Sequence, residues 1–337
     1  MFTSIIVPLD GSSFAERALP LALAVAQRAH APVELVHVYE PTSHTLGAPV
    51  LDPACDEVER GRLRERFTAL AARLEITRHV PVTATVLDGG PAEALCRHTT
   101  GRRSALIVMA THGLGGMSRS GIGSVADAVV RQAQVPVLLV RPGAVGHPEA
   151  AGPLFRRVLV PLDGSELAES VLAHALALGD AALGDATLGD AAPGIQDATA
   201  YELLTVVRSL SDRRRSLPHR RPVHDDEDPG DRGGAVGAAE RYLARLAAEL
   251  ERCGTRVHWR VVAHTHPARA ILDHAQTTSA DLIALATHGR GGLRRRLAGS
   301  VADEIMRGAS TPVLICHPDA DTAAAASRRR AAIVRPA

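Results

Sequence analysis

No lysine occurs anywhere in the 337 residues; all 38 basic side chains are arginine. That absence removes the P-loop lysine, Schiff-base chemistry and any Ser-Lys nucleophile. Aromatic residues are 2% of the chain against 46% hydrophobic residues. The core must therefore be built from Val, Leu, Ile and Ala, as buried parallel strands with covering helices would be. No apolar run approaches the ~18 residues that mark a membrane span, and no secretory leader pattern is present. A soluble, cytoplasmic protein is the expectation. The formal net charge of +1 gives no global attraction to nucleic acid or anionic lipid, so neither is an expected partner. Cys55, Cys96, Cys253 and Cys316 lie far apart with no CxxC pair, and His264 and His266 are the only histidines separated by one residue, with no carboxylate cluster beside them. Neither a redox pair nor a metal site is expected.

What the chain does contain, it contains twice. ATHGLGGMSRSGIGSVAD at 110–127 recurs as ATHGRGGLRRRLAGSVAD at 286–303, with Ala, two residues, Gly, nine residues and Gly-Ser in both. IIVPLDGSSFAERAL at 5–19 matches VLVPLDGSELAESVL at 158–172, and QVPVLLVRP at 134–142 matches STPVLICHP at 310–318. The offset grows from 153 to 176, so 23 extra residues lie inside the second copy. Two domains follow, 1–143 and 156–318, joined by a Pro/Gly/Ala-rich linker at 144–155.

The first copy alternates two periodicities. SIIVP (4–8), VELVHV (33–38), VTATV (82–86), ALIVM (105–109) and VPVLLV (135–140) read as strands. Between them fall an apolar-striped helix from Phe14 to His30, a charged helix from about Asp56 to Leu74, a short helix after Gly90-Pro91 and a helix from Val125. Five strands alternating with four helices imply a doubly wound, Rossmann-like α/β domain with a parallel sheet and right-handed crossovers. The second copy adds insertions at about 178–198, a reiterated LGDAA, and 209–237, an Arg-rich then acidic run. Both read as surface loops, and 319–337 as a disordered tail.

In such a sheet a ligand binds beyond the carboxyl ends of the strands, where the winding reverses. Pro8 and Asp10, and their counterparts Pro161 and Asp163, sit there in VPLDGS. The carboxylate can accept from a ribose hydroxyl or base edge, or can serve the start of the helix, where Ser13 and Glu16 have capping-box spacing. Gly123-Ser124 and Gly299-Ser300 each precede a helix, a junction whose amides and dipole favour an anion. Ser124 with Asp127, and Ser300 with Asp303, also have the spacing of a helix cap. His112 and His288 can bond a phosphate, move a proton or pin their own loop. Arg294, Arg295 and Arg296 can bond phosphate or face solvent.

VPLDGS, then G-x-P-A-E, then [G/A]-x2-G-x9-G-S, then a closing PVLLV together resemble the universal stress protein family, in tandem form. The resemblance implies a five-stranded parallel sheet in the order 3-2-1-4-5, with ATP, alone or with Mg²⁺, held between the first and fourth strands in the binding members. By position, Asp10 and the backbone around Val38 would face adenine and ribose, with Gly113, Gly123 and Ser124 on the phosphates. Asp163, Val206, Gly289, Gly299 and Ser300 are the counterparts. The family's pattern begins with Gly where this chain has Ala110 and Ala286, and Thr265-His266-Pro267-Ala268-Arg269 replaces Gly89-Gly90-Pro91-Ala92-Glu93 in copy two. The resemblance further implies a stress-response role, a protein partner of unstated identity, and an internal pseudo-dimer made by the final strands, 135–140 and 311–316.

No nucleophile with an acid/base pair, no Ser-His-Asp set and no Walker lysine is present. The chain is therefore expected not to be an enzyme beyond slow ATP hydrolysis. The expected function is a nucleotide-binding regulator; the alternatives are a hydrolase on the same fold and an interaction module without nucleotide.

Overall fold

Short aliphatic runs bounded by Pro and Gly form strands covered on both faces, and the Ala105–Ala110 run is buried at every position. The computed structural model describes residues 2–40, 53–111, 121–141, 153–179, 198–208, 230–287 and 300–317. The first half runs β1 (Ser4–Pro8), a 3₁₀ turn (Ala15–Ala18) into α1 (Leu19–Ala29), β2 (Val33–Tyr39), α2 (Pro53–Arg78) and β3 (Val82–Asp88). It continues through α3 (Pro91–Thr99), β4 (Ala105–Ala110), α4 (Ser124–Gln132) and β5 (Val137–Val140). The second half runs β6 (Arg157–Pro161), α5 (Glu166–Glu169), α6 (Val171–Gly179), β7 (Ala200–Val207) and α7 (Gly230–Glu251). After it come β8 (Arg256–Ala263), α8 (Pro267–Thr277), β9 (Leu282–Ala286), α9 (Ser300–Gly308) and β10 (Val313–Cys316).

All ten strands form one sheet in the order β3-β2-β1-β4-β5-β10-β9-β6-β7-β8. Each half is parallel in the order 3-2-1-4-5, and the halves meet where β5 and β10 pair antiparallel, Val313 with Leu139, Leu314 with Leu138 and Ile315 with Val137. The final strands of both halves thus cover each other's edges, which would otherwise be open to aggregation. One apolar layer unites α1, α2, α6 and α7 through residues such as Leu23, Phe67, Leu172 and Leu246. The opposite layer unites α3, α4, α8 and α9 through Leu95, Val129, Ile271 and Ile305. The winding therefore reverses between β1 and β4, and again between β6 and β9.

Polar contacts repeat the symmetry at the seam. Arg141, just after β5, donates to Met306 O on α9, and His317, just after β10, bonds Val130 O on α4. These are equivalent positions in the two copies. Arg131 pairs with Asp127 (2.8 Å) and reaches Asp303 (3.3 Å), while Arg307 pairs with Asp303 (3.0 Å) and approaches Asp127 (3.9 Å). Solvent-facing pairs of this kind contribute about 0–1 kcal/mol each, so the apolar strands dominate the join.

Two expectations change. The helix drawn from Phe14 starts instead as a 3₁₀ turn, whose tighter winding rotates Phe14 off the buried stripe; it is 40% exposed, with Arg17 over its ring. The loop drawn over 209–237 ends at α7, so Gly230–Gly237 is helical. Leu243, Leu246 and Ala247 fix that helix on the sheet, and extending a formed helix costs far less than starting one, even through glycine. The LGDAA stretch at 180–197, the linker residues 142–152 and the tail from 318 lie outside the described residues.

Gly179 closes α6 against Tyr201, a fully buried ring. A β-carbon at Gly179 would lie 1.9 Å from Tyr201 Oη and 2.9 Å from Cζ. Gly179→Ala should therefore cost about 1–3 kcal/mol, read as a lower urea midpoint; an unchanged midpoint would contradict this packing.

A partly buried Glu-His pair recurs at the amino ends of the strands: Glu34 with His98 (2.9 Å) and Glu202 with His274. Glu34 also accepts from Thr85 (2.8 Å) and Arg102 (2.6 Å). Burial pushes its carboxyl up, but Thr85, Arg102 and His98 outweigh burial and hold it below its ordinary range. A folded pKa below the unfolded one means stability that is present above the ordinary carboxylate value, about 4.3, and is lost as pH falls through the lowered one. Melting of wild type and Glu34→Gln should converge below about pH 4 and diverge toward neutrality, with wild type the more stable. A constant gap across that range would show that the carboxylate's charge is not what stabilises.

Candidate functional site: crevices at two switch points

Where β1 ends, Leu9 N–H donates to Val36 O (2.8 Å), and the chain turns through Gly11 at φ +83°. Asp10 Oδ1 accepts both the amide (2.9 Å) and the hydroxyl (2.6 Å) of Ser12, whose Oγ accepts from Ala15 N–H (3.1 Å). The second half repeats the arrangement. Asp163 Oδ1 accepts from Ser165 N–H (3.0 Å) and Oγ (2.6 Å), Ser165 Oγ accepts from Ala168 N–H (3.1 Å), and Gly164 has φ +80°. One carboxylate oxygen of each Asp is thus engaged by its own loop, holding the turn at the mouth of the crevice.

This geometry corrects the capping assignment. Ser13 and Glu16 do not form a capping box; Ser12 and Ser165 cap, in both copies. The signal was present in the sequence as the Asp-Gly-Ser spacing of the repeated VPLDGS, because Asx turns use the residue two positions on. A second polar contact supports each loop: His37 Nδ1 donates to Leu9 O (2.7 Å) while its ring stacks on Phe67, and Thr205 Oγ1 donates to Leu162 O (3.0 Å). Sequence reading had placed neither residue.

The other wall of the crevice is the end of β4 and the start of α4. Thr111, almost fully buried, accepts from Gly123 N–H (2.7 Å) and donates its own N–H to Val140 O (3.0 Å). The Gly123 amide, expected to face an anion, is therefore turned inward, onto the end of β4. Gly123 is the N-cap, at φ −60° and ψ 152°, and makes no side-chain capping bond. Ser124 is the first helical residue rather than the cap, and Asp127 pairs with Arg131 instead of closing a capping box. The first intrahelical bond is Asp127 N–H to Gly123 O (2.9 Å). The amides of Ser124, Val125 and Ala126 precede it, so the helix supplies them no acceptor. Ser124 itself is exposed. Amides without a helical acceptor, at the positive end of a helix dipole, suit a phosphate.

In the second half α9 begins at Ser300, and Asp303 likewise pairs with Arg307. Ala110 and Ala286 end their strands, and neither has a positive φ, so a methyl group in place of the family's glycine brings no backbone strain. Val38 and Val206 lie at the carboxyl ends of β2 and β7, beside Pro8 and Pro161 at the ends of β1 and β6. Tyr39, next to Val38, donates to Asp56 (2.6 Å), and that bond, with burial second, pushes its hydroxyl up to about 12. His112, Gly113, His288, Gly289, Gly299 and Arg294 to Arg296 lie outside the described residues. Pro267 starts α8 as Pro91 starts α3, so the altered turn of copy two still begins a helix. No helix among the described residues is long and apolar enough to cross a membrane.

Two doubly wound sheets, joined edge to edge and each with an Asp-Gly-Ser turn at its switch point, define a duplicated α/β protein. The chain belongs to the Universal stress protein family, whose model matches residues 1–141 and 154–317. It is 38% identical over 141 residues to a Thermus aquaticus universal stress protein, covering 42% of this chain and all of that one. A universal stress protein of Mycolicibacterium smegmatis is 27% identical over 320 residues, 93% of this chain and 97% of its own. The crystal structure of an Archaeoglobus fulgidus universal stress protein shares the fold at TM-score 0.62 and 18% identity, covering 93% of this chain and 98% of that one.

Proposed function

We propose that the protein is a non-enzymatic, nucleotide-responsive regulator of the stress response that binds ATP, alone or with Mg²⁺, at its switch points. The observation that supports this reading is the bare start of α4: Gly123 caps without a side chain, and the helix supplies no acceptor to the amides of Ser124 to Ala126. Phosphate would rest on those amides, and the loop fixed by Asp10 and Ser12 would lie along the ribose and base. Asp163, Ser165 and Ser300 offer the same chemistry in the second half. Cytoplasmic location follows from this role.

Proton transfer is not part of the reading. Asp10 and Asp163 hold their loops through Ser12 and Ser165, which leaves them poor general bases. A second reading, an interaction module without nucleotide, is favoured by the inward Gly123 amide. Equilibrium dialysis with labelled ATP, run beside a phosphate-release assay, separates the possibilities. Saturable binding with negligible turnover supports the regulator; turnover lost in both Asp10→Ala and Asp163→Ala supports a hydrolase; no binding leaves the interaction module.

A further inference from the structure

The two halves share a backbone but not a charge pattern at the opposite, amino-terminal ends of their strands. In the second half Arg156 and Arg157 enter β6, and Arg256, His258 and Arg260 lie along the edge strand β8; all five are exposed. Strand register places Thr3, Ser4, Pro81, Thr83 and Thr85 at the same positions of the first half. None of these five positions carries an arginine or histidine in the first half, so the fold does not require them.

They converge on a concave surface. Two adjoining hollows of about 480 and 330 Å³ lie between β8 and the last turn of α8, and both are lined by Arg157, His258 and Thr278. Arg156 and Arg256 line the larger, Arg260 the smaller. The nearby carboxylates are already engaged: Asp281 accepts from the amides of Arg156 (2.7 Å) and Arg157 (3.0 Å), and Glu202 is held by His274. The Arg157 guanidinium donates to Thr278 O, which answers the carbonyl end of α8. Among the described residues, Arg156, Arg256 and Arg260 make no ion pair with a carboxylate.

Strand alternation puts Arg256, His258 and Arg260 on one face of β8, spread over about 13 Å. Val257 and Val261 turn to the other face and pack with the α7 layer, and Trp259 shares their parity. The hollows thus offer a row of arginine and histidine donors, and the smaller is lined by Trp259 and Tyr201 as well. Such a row matches an extended chain of repeated negative charge better than a single anion, and guanidinium forks suit phosphate oxygens.

We infer that this hollow is a binding site for an oligophosphate chain, separate from the two switch-point crevices and present in the second half alone. Titrating the full chain with inorganic tripolyphosphate at low ionic strength tests it. Trp259, the single tryptophan, lines the smaller hollow and reports by fluorescence. Binding should weaken about tenfold or more in Arg256→Gln/Arg260→Gln, fall steeply with salt, survive largely in the charge-retaining Arg256→Lys/Arg260→Lys protein, and be unchanged in Ser124→Pro. Orthophosphate should bind far more weakly than tripolyphosphate. Equal affinity in wild type and the Gln double variant, or loss in Ser124→Pro instead, would overturn the assignment. Because both arginines are exposed, matching circular dichroism and urea midpoints are expected for all these variants.

Discussion

ATP at a hundredfold excess over its dissociation constant should stabilise the wild-type chain by about 2.7 kcal/mol for each occupied crevice, and Ser124→Pro should roughly halve the first half's contribution. The substitution is chosen for its backbone chemistry. Ser124 is the first residue of α4, where proline is tolerated because the amide it deletes has no acceptor in the helix. Gly123 already has φ −60° and ψ 152°, the extended conformation that a residue before proline prefers. The fold should therefore persist while one of three phosphate donors disappears. A charge-assisted hydrogen bond contributes about 1.5–3 kcal/mol, so affinity at that crevice should fall about tenfold or more. Titration calorimetry reads affinity and stoichiometry together, and an unaltered isotherm would show that α4 is not where phosphate binds.

The second large effect concerns the seam. Leu138 and Leu314 are fully buried and face each other across the β5–β10 pairing. Leu138→Ala and Leu314→Ala should each cost about 2–5 kcal/mol, through lost burial and the cavity left behind. As direct neighbours they should be non-additive, by about 0.5–3 kcal/mol in a double-mutant cycle. Because both apolar layers run without a break through the two halves, a single urea transition is expected to shift as a whole. If only one of two resolved transitions moved, the halves would be independent folding units and the seam a mere contact.

The duplication and the strand positions were legible because each rests on local periodicity and on motifs repeated within the chain. The strand order and the meeting of the final strands came from the resemblance of those motifs to a known family, not from periodicity. Details that depend on where a single donor points were not. Nothing local distinguishes Gly123 N–H facing a crevice from Gly123 N–H facing Thr111 O, because its acceptor lies at the end of another element and is brought to it by the fold. Ser13 looked like the cap from its Glu16 partner, whereas Asp10 draws Ser12 into that role. The reciprocal contacts of Arg141 with Met306 and His317 with Val130 join residues brought together only by the antiparallel pairing. The start of α7 was hidden by glycine and aspartate, since composition speaks for isolated segments and tertiary packing decided the helix.

The central claim is that the amides left without a helical acceptor at the start of α4 receive phosphate. Amide ¹H–¹⁵N spectra of the full chain, recorded as ATP is added, address it directly. The resonances of Ser124, Val125 and Ala126 should move together and saturate, while Gly123, bonded to Thr111, moves least among the four. Saturable binding that leaves all three of those amides unshifted would contradict the account.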